Sequence, residues 1–163
     1  MKRKTKLLIV ASSVIFITLI AYAAFDHWRN GILEAAFLHE LTARATWYAR
    51  FDTHVVAFQS FGGRYRNPPS SLVSELQKTD PKVVSCSEAD LPLKPDLITF
   101  RAWNKDGKKV VISMRLFEVV SYSEVKVRGQ WDSGPTAGGL YEYTVMKKNG
   151  KWIVTEERAI GAA

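Results

Sequence analysis

The stretch LLIVASSVIFITLIAYAAF, Leu7 to Phe25, constrains this chain more than any other, because its 19 residues carry no charge. As a helix, that run is long enough to cross the hydrocarbon core of a bilayer, which takes about 20 apolar residues. Lys2, Arg3, Lys4 and Lys6 precede it, and no acid occurs before Asp26. The asymmetry predicts a cytoplasmic N-terminus with everything after Phe25 on the far side of the membrane. Two readings stay open. An uncleaved anchor uses the whole run and sets Phe25 and Trp28 at the outer interface. A signal peptide is cut after a small-x-small motif, and Ala21-Tyr22-Ala23 before Ala24 fits one. The expected localisation is therefore a bacterial inner membrane with the domain outside, or a periplasmic or secreted product after cleavage near Ala23. Both readings divide the chain into residues 1–25, a basic tail with an anchor or signal, and residues 26–163, one exported domain.

Net charge says little once that division is made. Of the formal +7, four charges belong to the N-terminal cluster, leaving 19 Lys and Arg against 16 Asp and Glu. So small an excess is no electrostatic footprint for nucleic acid, and no such partner is expected. The single cysteine, Cys86, excludes an internal disulfide framework and reads as a small buried hydrophobe in a strand.

Past the apolar run, Asp26–Asn30 reads as a polar junction. Leu33, Phe37 and Leu41 then recur every four residues, widened by Ile32, Ala36 and Leu38. The spacing predicts an amphipathic helix from Gly31 to about Arg50, capped by Asn30. His54–Phe58 has strand character, and Gly62 to Pro69 reads as a loop. Ser70 or Ser71 would cap a short helix through about Lys78, with Glu75 completing a capping box. Lys82–Ser87 can be a strand. Leu97–Trp103 alternates, and Asp106-Gly107 before a second alternating run is a strong hairpin signal. Glu124–Trp131 and Trp152–Arg158 complete the strand set.

The Gly-rich stretch SGPTAGGLYEYTVMKKNGKW, Ser133–Trp152, is the hairpin framework of that set. A phosphate loop would open a helix, whereas Gly138-Gly139 leads into the alternating residues Leu140–Val145. Asn149-Gly150 supplies the two left-handed residues of a tight turn, and Lys147, Lys148 and Lys151 mark its exposed tip. The expected fold class is α+β: the N-terminal transmembrane or signal helix, then a long and a short helix packed on a four- to five-stranded antiparallel meander. A long helix on a curved antiparallel sheet is the layout of cystatin-like and nuclear-transport-factor-like folds.

Candidate chemistry is sparse. His27, His39 and His54 show no metal-ligand spacing and read as surface groups; no metal or cofactor is expected. There is no nucleophile motif and no catalytic residue to assign. Glu156-Glu157 face opposite sides of a strand, so they cannot share a proton, although one in an aromatic-lined cleft would have a raised pKa. The partner-contact candidates are Arg64, Tyr65 and Arg66, an aromatic between two arginines on a Gly-rich loop. The candidates for a pocket on the sheet are Trp103, Trp131, Tyr141 and Tyr143.

The run from Val119 to Glu157 resembles the C-terminal half of a group of uncharacterised small exported bacterial domains. The resemblance rests on Ser121–Gly129, on Ala137–Val145 (AGGLYEYTV) and on the close at Lys148–Val154 (KNGKWIV). Ile32–Phe37 and Lys82–Ser87 extend it over roughly residues 31–157. It implies export and an α+β fold of cystatin-like or nuclear-transport-factor-like type, and it implies no reaction. The resulting expectation is a non-enzymatic, membrane-tethered or periplasmic module that binds an envelope protein. The alternatives are a small-ligand or proton-transfer pocket, or an accessory subunit of an envelope-spanning secretion complex.

Overall fold

The computed structural model describes the backbone of residues 2–60, 62–94, 97–134 and 137–162, and the side chains of 15–60, 62–94, 99–134 and 137–162. One helix, α1, runs from Lys2 to Ala43. The expected break at Asp26–Asn30 does not occur, and Asn30 lies inside the helix instead of capping a second one. None of those five residues is Pro or Gly, so nothing in them interrupts the hydrogen-bond ladder. Gly31, the one weak former, is kept by packing: a Cβ there would lie 3.0 Å from Trp152 Cδ1. Ile15 to Phe25 are exposed, whereas burial is complete at Ile32. Among the described residues no helix is long and apolar enough to cross a membrane. The side chains of Lys2–Lys6 and Leu7–Val14, on which half of the anchor expectation rests, lie outside those residues.

The chain continues through a short α2 (Ala45–Tyr48), β1 (Thr53–Gln59), β2 (Tyr65–Arg66), α3 (Ser70–Thr79), β3 (Val83–Ser85) and α4 (Leu97–Trp103). Then come the long strands β4 (Lys109–Ser121), β5 (Glu124–Gly134), β6 (Ala137–Lys148) and β7 (Lys151–Ala162). They form a seven-stranded sheet in the order β2-β1-β4-β5-β6-β7, with β3 beside β1 on the same edge as β2. The fold is α+β, and its sheet is mixed. The antiparallel meander is confined to β4–β7, while β1 runs parallel to β3 and to β4. A parallel pair needs a long crossover, and everything from β2 to α4 supplies it.

The largest correction concerns Leu97–Trp103, expected as a strand and found as helix α4. Short apolar runs satisfy both periods, and Phe100 and Trp103 are also i,i+3 neighbours on a helix. Asn104 decides the outcome. Its buried amide donates to Lys109 O and Ser133 O and accepts from Lys109 N, tying the helix end to β4 and β5. Asp106-Gly107 still turns the chain, with Gly107 at φ 66, but between a helix and a strand. Neither expected cap of α3 forms: Pro69 holds the N-cap position, and Glu75 pairs with Lys78 instead of the backbone.

Alternation along β1 and β4 fills both faces of the sheet. Val56, Val110, Ile112 and Met114 join Ile32, Phe37 and Leu76 beneath α1 and α3. Val55, Ala57 and Val111 point the other way and pack with Tyr65, Cys86, Leu91 and Phe100. Cys86 is buried as expected but sits in the turn after β3, where burial pushes its thiol up to about 11. The β5–β7 portion has α1 on one face and a polar ladder, Arg128–Glu142–Arg158, on the other. The β6–β7 turn forms as expected, with Asn149 at φ 51 and Gly150 at φ 80.

Candidate functional site

Between α1 and β6 lies a carboxylate that the apolar stripe of the helix conceals. Glu40 is 2% exposed. Tyr48 donates to its Oε1 at 2.5 Å, while Arg44 at 2.5 Å and Tyr143 both donate to Oε2. Burial, then the charge of Glu40, raises both phenols far above the tyrosine range, so they stay protonated and donate to Glu40. Burial works against the charge of Arg44, but Glu40, Tyr143, Tyr141 and Glu157 together outweigh it and keep the guanidinium firmly protonated. Arg44 also reaches Glu157 on β7 and lies 3.8 Å over the Tyr141 ring. A general base needs a free lone pair within reach of a substrate. Glu40 instead spends its oxygens on its own chain, and the arrangement is a lock between helix and sheet.

The Glu156-Glu157 pair changes its reading here. Strict alternation puts Glu156 on the same side as Trp152 and Val154. A register shift between Val145↔Val154 and Thr144↔Glu156 admits one extra residue and swings Glu157 to that side. There it meets His39 Nε2 at 2.8 Å as well as Arg44. Partial burial pulls the Glu157 pKa up, but His39 and Arg44, each by hydrogen bond and by charge, together outweigh it, and the carboxyl ends below its usual range. A depressed folded pKa stabilises the protein above the unfolded value, about 4.3, and that contribution drains away as pH falls through the folded one. Glu157→Gln is expected to lose up to about 1 kcal/mol at pH 7, as partly exposed pairs do. The difference from wild type should shrink below pH of about 4 in urea titrations. A difference unchanged down to pH of about 2.5 would show that the Glu157 charge is immaterial.

Three of the four pocket candidates are brought together, with Tyr141 and Tyr143 stacked 6.3 Å apart and Trp131 beside Tyr141 at Gly139, but their rings are packed into the core instead of lining an open cleft. Tyr143 is fully buried against Glu40, and Tyr141 lies beneath Arg44. Trp131 shares their face but packs on Trp47, ring centres 4.2 Å apart, and across Gly139. Trp103 is on the opposite face, its Nε1 donating to Ala89 O. His54, expected at the surface, is 2% exposed, with Nδ1 at 2.5 Å from Asp80 and Nε2 at 2.9 Å from Tyr48 O. Neither nitrogen is left for a ligand. Among the described residues no group of His, Cys, Asp and Glu could hold a metal.

The loop candidates divide. Phe61 lies outside the described residues. Tyr65 turns inward, 6% exposed, with its hydroxyl 3.4 Å from Asp132, because β2 pairs with β1 at Gln59↔Tyr65. Arg64 and Arg66 remain exposed. Arg66 lines a groove of about 250 Å³ with Arg29 from α1 and Arg115 from β4. Its apolar walls include Leu33, Phe58 and Leu116, and the Arg29 guanidinium lies 5.5 Å over the Phe58 ring. Asp26 is 2.9 Å from Arg29 and partly offsets its charge. Arg66 and Arg29 beside that apolar floor suit a carboxylate or phosphate attached to something apolar, while Arg115, opposite Arg128 in the β4–β5 pairing, starts from the other face of the sheet.

No family model and no curated protein matches the chain. Among solved structures, an NTF-2-like protein of unknown function from Shewanella oneidensis MR-1 is similar at 14% identity. The match covers 78% of this chain and 92% of that one, with a TM-score of 0.31. So slight a likeness carries no weight; the α+β assignment stands on the helices and strands themselves.

Two features escaped the sequence reading for different reasons. Glu40 had a signal: it falls in the stripe Ile32-Leu33-Ala36-Phe37-Leu41, where a carboxylate must be buried and therefore partnered. Of the arginine groove the sequence had singled out Arg66 alone, since residues 29, 66 and 115 meet only through the β1–β4 pairing and the course of α1.

Proposed function

We propose that this chain is a membrane-tethered domain that binds an envelope protein through the Arg29–Arg66–Arg115 groove. The tether is the Leu7–Phe25 run, with the basic tail in the cytoplasm and the domain outside. The groove carries the reading, because it joins the exposed Arg66 and the half-buried Arg29 to an apolar floor at the edge where the sequence already pointed to Arg66. Support also comes from the helix-facing side of the sheet, which Ile32, Leu33, Ala36 and Phe37 fill where a small ligand would otherwise lie. The partner class follows from the lining: an acidic protein segment with an apolar residue beside its carboxylates.

A photo-crosslinking amino acid at Arg66 of the full chain, in its native membrane, is expected to give a discrete protein adduct. The same probe at Lys105, exposed in the turn between α4 and β4, should not. The adduct at position 66 should fade when Arg115 is changed to Glu. No adduct above the Lys105 control would overturn the proposal.

A further inference from the structure

The β4–β5 and β6–β7 hairpins end side by side, as the pairing Glu124↔Met146 and the bond from Lys147 N to Ser123 O require. The same end of the sheet meets α1 where the helix leaves its exposed apolar stretch. Trp28 Nε1 donates to Tyr122 O at 3.2 Å, and its ring packs edge-on against Trp152 at 6.0 Å and beside Phe25 at 5.8 Å. Val119, Val120 and Tyr122 are 59%, 49% and 73% exposed at that end. Apolar side chains this open, on a strand end that pairs with a fully buried Val125, are not explained by the core. Around them stand Lys147, whose ammonium lies 5.3 Å from the Tyr122 ring centre, and the exposed Lys148 and Lys151.

We infer that these two hairpin ends form a second contact with the membrane, in which Val119, Val120 and Tyr122 enter the headgroup region while Lys147, Lys148 and Lys151 meet anionic lipid phosphates. A bilayer is the occupant for three reasons. The apolar tips are continuous, through Trp28, with exposed Phe25 on α1. Trp28, Tyr122 and Trp152 form the aromatic level that marks a membrane–water interface. Lys147, Lys148 and Lys151 outnumber the acid Glu124 beside the tips, and that basic excess complements anionic headgroups. The inference rests on the tethered reading above, and it concerns a different surface from the arginine groove.

The test uses the full chain in phosphatidylethanolamine vesicles containing phosphatidylglycerol, with an environment-sensitive thiol dye on Val120→Cys, Ile20→Cys or Lys105→Cys. Cys86 is 1% exposed, so the introduced thiol reacts selectively. The Val120 dye should shift to the blue, be quenched by doxyl-labelled lipid, and lose access to iodide; the Lys105 dye should stay accessible. Lys148→Glu with Lys151→Glu should restore iodide access at Val120. An iodide-accessible Val120 dye beside a lipid-quenched Ile20 dye would overturn this inference and leave the tether standing. A lipid-quenched Val120 dye beside an accessible Ile20 dye would keep the docking surface and refute the tether. Accessibility at both positions would overturn both.

Discussion

Changing Glu40 to alanine is expected to cost about 3–5 kcal/mol, the range seen when one member of a buried ion pair is removed. A domain of this size holds only about 5–15 kcal/mol in total, so the variant should sit near the edge of folding. The loss comes less from the missing contacts than from what is stranded. Tyr48 and Tyr143 are left as buried donors without an acceptor, each worth about 1–3 kcal/mol of desolvation. Arg44 keeps Glu157, which spares part of the penalty. Glu40→Gln should lose less, since its carbonyl can still accept from one phenol while its NH2 faces donors. Urea denaturation followed by tryptophan fluorescence checks both variants. An alanine variant within about 1 kcal/mol of wild type would mean that water replaces the carboxylate and that the lock is dispensable.

The second large effect is expected at Gly129. A Cβ there would lie 2.6 Å from Tyr143 Cε2 and 2.7 Å from Met114 Sδ. Methionine can move aside at little cost. Tyr143 cannot, because its ring is buried and its hydroxyl is held by Glu40. Gly129→Ala should therefore cost about 1–3 kcal/mol by overpacking, and the ring displacement should weaken the lock as well. That mechanism has a signature: with Glu40 already changed to Gln, Tyr143 is looser and the alanine should cost less. The double variant should fall short of the sum of the singles by at least about 0.5 kcal/mol. Strict additivity would show that the strain is relieved through Met114 instead.

The parts of the fold legible in the sequence were those set by local pattern. The alternation of Glu124–Trp131 and Leu140–Val145, and the left-handed pair Asn149-Gly150, produced the long strands and their turn as expected. The Phe37–Leu41 stripe faced the sheet as its period required. What the pattern could not carry was choice between equivalent local solutions. Leu97–Trp103 suits either period, and the bonds of Asn104 to nearby Lys109 and distant Ser133 go with the helix. The parallel β1–β4 pairing is likewise non-local, and so are the three arginines it helps bring together. Even the side taken by Glu157 depends on a one-residue shift that no alternation count reveals.

The unbroken course of α1 has a mechanical consequence. Its 42 residues make a rod of about 63 Å at 1.5 Å per residue, and the exposed stretch Ile15–Phe25 joins the stretch buried from Ile32 onward with no hinge between them. A domain on a flexible leash samples every orientation, but one built onto its own stalk has a set azimuth and height. Rotating or tilting the stalk must turn the sheet with it, because Glu40, Arg44 and Gly31 are clamped to β6 and β7. Torque applied at Ile15–Phe25 would therefore reach the strands through the helix and its clamps, with no loop between to absorb it.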